Sequence, residues 1–348
     1  MLRKIAFSFL LTLAVVALAL YFGWRSLNGY LDEPLQLDEP EIVLVKSGSS
    51  FPRVGRELAE RGLLSKPDWM AFYVRMQKVG HLLKAGEYQI EPGVTPRQLV
   101  AQLVEGKSIS YRFTLIEGST FKQMRQRLAE SDVLVHETDG MSDGELMAAL
   151  GLEGQHPEGR FLANTYQFQR GMTDLDLLRR AHQLQKKVLT EEWQARAEKF
   201  ESKVLPYKDP YEALIMASIV EKETGLSAER PVIAGVFVRR MQIGMRLQTD
   251  PTVIYGMGDK YKGNIRRKDL RTPTPYNTYT IPGLPPTPIA MVGREAIKAA
   301  LHPEGKKWLY FVAKGDGSHQ FSATLKQHNK AVREYQLKRK ASYRSAPE

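Results

Sequence analysis

Twenty residues without a formal charge, Ile5 to Trp24, follow Met1-Leu2-Arg3-Lys4 and end at Arg25. At ~1.5 Å per residue, a helix of that length spans roughly 30 Å, the hydrocarbon thickness of a bilayer. Tyr21, Phe22 and Trp24 fall where an interfacial aromatic belt lies. Arg3, Lys4 and the terminal amine outweigh Arg25, which predicts a cytoplasmic end (1–4), a transmembrane helix (5–24) and an exported remainder. A cleaved signal peptide is the competing reading, with Ala17-Leu18-Ala19 as its small-residue site. The apolar run, however, continues past Ala19 through Leu20-Tyr21-Phe22.

Residues 25–40 are polar, contain Pro34 and Pro40, and predict a stalk. A repeat follows at an offset of seventy residues. Val45-Lys-Ser-Gly48-Ser49-Ser-Phe51…Leu58-Ala-Glu60…Leu63-Leu64 matches Leu115-Ile-Glu-Gly118-Ser119-Thr-Phe121…Leu128-Ala-Glu130…Val133-Leu134. A weaker copy, Gly93-Val-Thr95-Pro96…Leu99…Leu103, lies between them. Each copy predicts a strand, a Gly-x-Ser/Thr turn and an amphipathic helix whose first N–H groups are capped by the hydroxyl. With a strand over 42–45, helices over 51–60 and 66–77 and a strand over 87–90, the stretch 41–110 resembles the LysM-like module, a glycan-binding βααβ fold.

Residues 135–160, rich in Gly, His and acids, predict a loop or short helices, and Leu175 to about Phe200 a long surface helix. The next helix carries the candidate chemistry. Asp209 is a good N-cap, Pro210 suits the first helical position, Glu212 completes a capping box and Gly225 is a natural stop. Ala213 to Val220 is apolar nearly all round apart from Ser218, the pattern of a buried helix. It ends in Glu221-Lys222-Glu223. Glu223 continues the stripe Met216–Ile219–Val220, and Glu221 continues Leu214–Ala217–Ser218. Either carboxylate would emerge from a dry helix at its negative end, where desolvation and the macrodipole both favour the protonated acid that general acid catalysis requires. The bland alternative is a charged run closing a helix in solvent, with Lys222 complementing the dipole.

Pro231 to Gln242 predicts a second apolar helix stopped by Gly244. Beyond it, 271–286 is a proline-rich loop displaying Tyr276, Asn277, Thr278 and Tyr279. Trp308–Val312 and His319–Ser322 predict a hairpin around Gly315-Asp-Gly317. The composition of the 348 residues is that of a globular chain, 43% hydrophobic and 26% charged. Fifty basic against 39 acidic residues give a formal +11, which suits an acidic polymer or anionic surface. Export and the lack of any recognition-helix or RNP-type pattern argue against nucleic acid as partner. With no cysteine, disulfides, thiolate metal sites and a cysteine nucleophile are excluded. His302, His319 and His328 match no common metal-ligand spacing.

Several segments together closely resemble the YceG-like family of endolytic murein transglycosylases. They are Met216-Ala-Ser-Ile-Val-Glu-Lys-Glu223-Thr224, Gly244-Met-Arg-Leu-Gln248-Thr-Asp250-Pro-Thr-Val-Ile-Tyr255, Tyr276-Asn277-Thr-Tyr279 with Gly283-Leu-Pro-Pro, and His319-x-Phe321…His328-Asn329. The likeness is strongest over 207–330. Ala163-Asn164 stands where the family usually carries Pro-Asp before Thr165-Tyr166, so no role passes to an acid there.

The resemblance implies an α+β chain: a transmembrane helix, the LysM-like module, a mixed catalytic domain over 111–340 and a basic tail over 341–348. It implies a single-pass inner-membrane lyase with a periplasmic catalytic domain that cuts the MurNAc-GlcNAc bond within glycan strands, leaving 1,6-anhydroMurNAc ends and terminating strand elongation. No cofactor or metal is implied; the partners are peptidoglycan strands, with peptidoglycan synthases as candidates. The wider pattern of a catalytic Glu directly before Ser or Thr singles out Glu223, with Gln248, Tyr255, Asn277, Tyr279 and Glu221 as substrate-binding candidates. A muramidase-type hydrolase, with Asp250 or Glu221 as second carboxylate, and a non-catalytic murein-binding scaffold are the rivals.

Overall fold

The computed structural model describes residues 2–200, 202–305 and 307–337; the tail expected at 341–348 lies outside them. The chain is mixed α/β and divides into two compact units, Met1–Tyr111 with Gln167–Met172, and Arg112–Tyr166 with Thr173–Glu348.

The first unit opens with α1 (Leu2–Leu31), a single helix long and apolar enough over Lys4–Leu31 to cross a membrane. The helix does not stop where a stalk was expected from residue 25. Leu27, Tyr30 and Leu31, with Leu35 just beyond, are buried in this unit's core. Arg97 fastens the end of the helix through Asp32 (2.8 Å) and Asn28 (2.9 Å). A mostly polar stretch thus hides four apolar anchors, and their burial keeps it ordered. Then come β1 (Glu41–Val45), α2 (Phe51–Glu60), α3 (Pro67–Met76), β2 (Gly86–Ile90) and α4 (Pro96–Glu105). β1 and β2 are antiparallel, with Glu41 opposite Ile90 and Val45 opposite Gly86. Their period of two sends Val43, Val45, Tyr88 and Ile90 inward, onto Phe51, Val54 and Leu58 of α2 and Leu99 and Leu103 of α4.

The repeated turns share one local device. Gly48, Gly93 and Gly118 adopt φ of +75°, +88° and +75°, a left-handed conformation open to glycine, each two residues before an N-cap. Thr95 and Thr120 accept from the backbone of Gln98 and Gln123, whose side chains answer to the cap residues' own N–H groups. Ser50 departs from the expectation: it holds the cap position without a side-chain bond.

The boundary between the two units falls within β3 (Tyr111–Thr114) and within β4 (Thr165–Phe168). The second unit further contains α5 (Phe121–Ala129), α6 (Asp143–Ala149), α7 (Asp174–Gln194), the short pair β5 (Lys199–Phe200) and β6 (Lys203–Val204), α8 (Pro210–Glu223), α9 (Arg230–Gln242), α10 (Asp250–Met257), α11 (Arg294–Leu301), the hairpin β7 (Tyr310–Ala313) and β8 (His319–Ser322), and α12 (Leu325–Val332). The helix expected to reach Phe200 ends at Gln194, and Lys199-Phe200 pair with Lys203-Val204 instead. One face of it is core rather than surface, with Leu177, Leu178, Ala181 and Val188 buried. α8 is the axis of this unit, packed by α7, α9, α10 and α11, and Ala213 through Val220 are buried on every side. Inside it, Ser218 Oγ donates to the Ile215 carbonyl (2.7 Å) and accepts from the Ile289 N–H (3.0 Å), which satisfies its buried hydroxyl.

Gly235 lets α9 touch the loop after α11. A Cβ there would collide with the Glu304 carbonyl oxygen, which is tied down because the Glu304 N–H donates to Pro231 O (2.9 Å). Gly235→Ala is therefore expected to destabilise the detergent-solubilised chain by about 1–3 kcal/mol despite alanine's better helix propensity. Denaturant unfolding measures it, and an unchanged midpoint would contradict the close approach.

Candidate active site

The three charged residues that end α8 go to three different places. Glu221 turns inward: Oε1 accepts from Arg230 Nη2 (2.8 Å) and Oε2 from the Gly293 N–H (3.0 Å). The same guanidinium nitrogen reaches Glu117 Oε2 (3.1 Å). Lys222 Nζ donates to the Gly118 carbonyl (2.9 Å), at the glycine turn that starts α5. Glu223 points into an open cleft, where Thr249 Oγ1 donates to its Oε1. The helix stops here without using Gly225 as a left-handed cap: Thr224 is already extended, and its Oγ1 accepts from the Leu226 N–H (3.0 Å).

The cleft has a volume of about 460 Å³. Its floor brings together Glu223, Arg240, Gln248, Thr249, Asp250 and Tyr279, and β7, β8 and α12 supply a wall with Tyr310, Phe311, His319 and His328. The turn into α10 builds the floor. Gln248 sits at φ +51°, a left-handed conformation that costs a residue with a Cβ of order 1–3 kcal/mol and is over-determined by neighbouring bonds. Its N–H donates to Thr278 O (3.2 Å), and the next N–H, of Thr249, to Thr278 Oγ1 (3.1 Å). Tyr279 OH donates to Asp250 Oδ1 (2.6 Å).

Burial pushes the Glu223 carboxyl up to about 7. The Thr249 hydrogen bond and the Arg240 charge pull the other way, and the Asp250 carboxylate adds to the rise. Arg240 is buried; its guanidinium donates to the Leu309 carbonyl (2.8 Å) and the Leu247 carbonyl and stacks on Tyr310. His319 Nδ1 meets Glu229 Oε2 at 2.7 Å, and the His319 backbone N–H donates to Glu229 Oε1 (2.9 Å). Glu229 thus holds His319 in the cleft wall through both its ring and its backbone N–H.

Of the residues expected at the site, Glu223, Gln248 and Tyr279 line this cleft. Glu221 lies in the Arg230 network behind it. The Asn277 amide is used up inside its own loop: Nδ2 donates to the carbonyls of Asp269, Leu270 and Thr272, and Oδ1 accepts from the Tyr279 N–H (2.9 Å). Tyr255 packs against the Tyr276 ring at 4.8 Å and donates to Glu158 Oε2 (3.1 Å). Arg240 and His319 join the cleft with no local signal beyond the His319-x-Phe321 motif.

Glu158 is the sharpest test of what marks the site. Burial raises its carboxyl to about 7 as well, yet it is only 3% exposed and is surrounded by the Tyr255 hydroxyl and the Phe121 N–H. It ties α5 to α10. Glu221, 8% exposed, is likewise raised by burial and spoken for by Arg230. Among the described residues a raised carboxyl alone thus picks out three glutamates, of which Glu223 lines the cleft.

A glutamic acid pushed up to about 7 on the floor of an open cleft is a group suited to exchanging a proton near neutrality, here on a mixed α/β scaffold. The chain belongs to the YceG-like family, whose model matches residues 43–334. It is 31% identical to the endolytic murein transglycosylase of Bacillus subtilis, over 87% of each chain. The endolytic murein transglycosylase of Streptococcus pneumoniae is 25% identical over 96% of this chain and 65% of its own length. A crystal structure of a YceG-like protein from Listeria monocytogenes is 30% identical and covers 84% of this chain and 99% of that one, with a TM-score of 0.51.

Proposed function

We propose that this chain is a membrane-anchored endolytic transglycosylase of peptidoglycan, with residues 1–4 cytoplasmic, 5–24 spanning the inner membrane and the catalytic domain periplasmic. The observation that carries the chemistry is Glu223, a carboxyl pushed up to about 7 with its face open to the cleft. Protonated Glu223 donates to the oxygen bridging MurNAc and GlcNAc as the bond from that oxygen to the muramyl C1 breaks. The C6 hydroxyl of the same muramyl residue closes on C1 and gives its proton to the Glu223 carboxylate. Glu223 ends as it began, and the new end is 1,6-anhydroMurNAc. No water is consumed, so one carboxyl suffices where hydrolases use two.

While Glu223 is ionised, the Thr249 hydrogen bond and the Arg240 charge stabilise it. Gln248, Tyr279 and His319 are the cleft's groups for sugar hydroxyl and N-acetyl contacts. Tyr255 and Asn277 shape the neighbouring walls. The 41–110 stretch, whose β1, α2, α3 and β2 precede α4, is read as a LysM-like module that holds glycan, and cutting nascent strands would terminate their elongation.

Asp250 favours a second reading, since it shares the cleft with Glu223 and could serve a muramidase-type hydrolase. Mass analysis of digested sacculi separates the two: anhydro-muramyl fragments are expected, reducing muramic ends would mean hydrolysis, and no new ends with retained binding would mean a scaffold. A pH profile adds to this. The reactive form is protonated, so kcat/KM for fragment release is expected to be flat below about pH 7 and to fall about tenfold per pH unit above it. A rate that climbs through that range would exclude Glu223 as the acid.

A further inference from the structure

α3 is apolar on two sides. Met70 and Val74 turn into the core of the first unit, while Trp69, Phe72 and Met76 recur at helical spacing on another face. Phe72 is 54% exposed and Met76 40%. With the turns of α1 between Ala19 and Leu27, these three line an almost wholly apolar groove of about 690 Å³. Scattered exposed apolar side chains are ordinary, but a continuous stripe beside an open groove marks a surface that something covers.

Position says what covers it. The wall formed by Ala19, Leu20 and Gly23 belongs to the apolar run whose outer end is Trp24-Arg25. At ~1.5 Å per residue, Leu20 lies roughly 6 Å inside Trp24. A helix flanking α1 at that depth sits below the level where the span meets water. Its margins match such a level: the Lys66 ammonium lies 4.4 Å from the centre of the Trp69 ring and 5.7 Å from that of Tyr30, and Arg75 and Lys78 are exposed beside the stripe. Long cations next to aromatic rings are what the headgroup zone of an anionic bilayer selects. Leu27, Tyr30 and Leu31 are buried in the same core as Met70 and Val74, so packing rather than a linker sets the height of α3 against the span.

We propose that α3 is a membrane-insertion face. Trp69, Phe72 and Met76 lie at the boundary between headgroups and acyl chains of the outer leaflet, and a phospholipid acyl chain fills the groove between α3 and α1. This rests on the reading of α1 as a membrane span. The chain lacks cysteine, so a single introduced thiol reports one position. The full chain would be reconstituted into phosphatidylcholine–phosphatidylglycerol vesicles, with or without brominated acyl chains. A fluorophore would be placed in turn at Leu20→Cys, Phe72→Cys, Met76→Cys and, on exposed Arg56 of α2, Arg56→Cys.

Quenching at 72 and 76 is expected to come within about twofold of that at 20, with none at 56. Adding Phe72→Glu should cut quenching at 76 severalfold and leave 20 unchanged. Quenching at 20 with none at 72 and 76 overturns the docking face and leaves the span intact. No quenching at 20 removes span and docking face together.

Discussion

Glu223→Gln is expected to lower release of anhydro-muramyl fragments by roughly 10²–10⁴-fold, the usual share of a general acid–base group, while the chain stays folded. Glutamine keeps the shape and still accepts from Thr249, but has no proton of suitable acidity to give. The same substitution has a thermodynamic signature. The native carboxyl titrates at about 7 against an ordinary 4.5, so the folded state holds the proton more tightly than the unfolded one. The stability this contributes is complete below about pH 4.5 and lost as pH rises to about 7. The variant escapes that loss. It is expected to gain on the wild type between pH 5 and pH 8 by up to about 1–3 kcal/mol, less than the full shift implies because Glu223 is only half-buried. Glu158 titrates in the same range but is common to both proteins and cancels. Thermal unfolding at the two pH values checks this; a gap that does not widen would mean that the carboxyl is not desolvated.

Local chemistry made the acid-bearing helix legible. Asp209 accepts from the Glu212 N–H (2.9 Å), Pro210 opens the helix and the apolar run is buried all round. Only the reciprocal bond differs: the Glu212 carboxylate takes the Lys208 N–H (2.7 Å), one residue before the cap. The same spacing rules located α2, α4, α5 and the β7–β8 hairpin. They could not say what each turn does. Gly48 and Gly118 read alike and adopt the same φ, yet the loop at Gly118 receives Lys222 and exchanges backbone hydrogen bonds with Met291, while Gly48 has no such partners among the described residues. Nor does periodicity separate Glu221 from Glu223. Their fates are decided by Arg230, which pairs with Glu221, and by Thr249, which donates to Glu223; partners brought in by the chain's return leave no local trace. The helix overruns the start of the expected stalk, to Leu31, for the opposite reason: the few apolar residues there gave too little pattern to reveal a buried face.

Arg230→Met is expected to destabilise the protein by about 3–5 kcal/mol, because it leaves the Glu221 carboxylate buried with its ion-pair partner gone. For a unit of this size that corresponds to a Tm lower by roughly 6–20 °C. Glu117, the other acid on this guanidinium, is nearly half exposed and can return to water, so the cost falls on Glu221. The double variant Arg230→Met with Glu221→Leu removes both charges at once and is expected to recover much of the loss, leaving mainly the orphaned Gly293 N–H that Glu221 had satisfied. A double-mutant cycle by denaturant unfolding measures that coupling. Activity should not recover with stability. The Glu221 and Lys222 anchors hold the tip of α8 immediately before Glu223, the proposed acid, and displacement of a catalytic group by about 1 Å costs on the order of 10²-fold in rate. A stable double variant that remains slow would place the network's role in aiming the acid, whereas one that is both stable and fully active would reduce it to a means of burying charge.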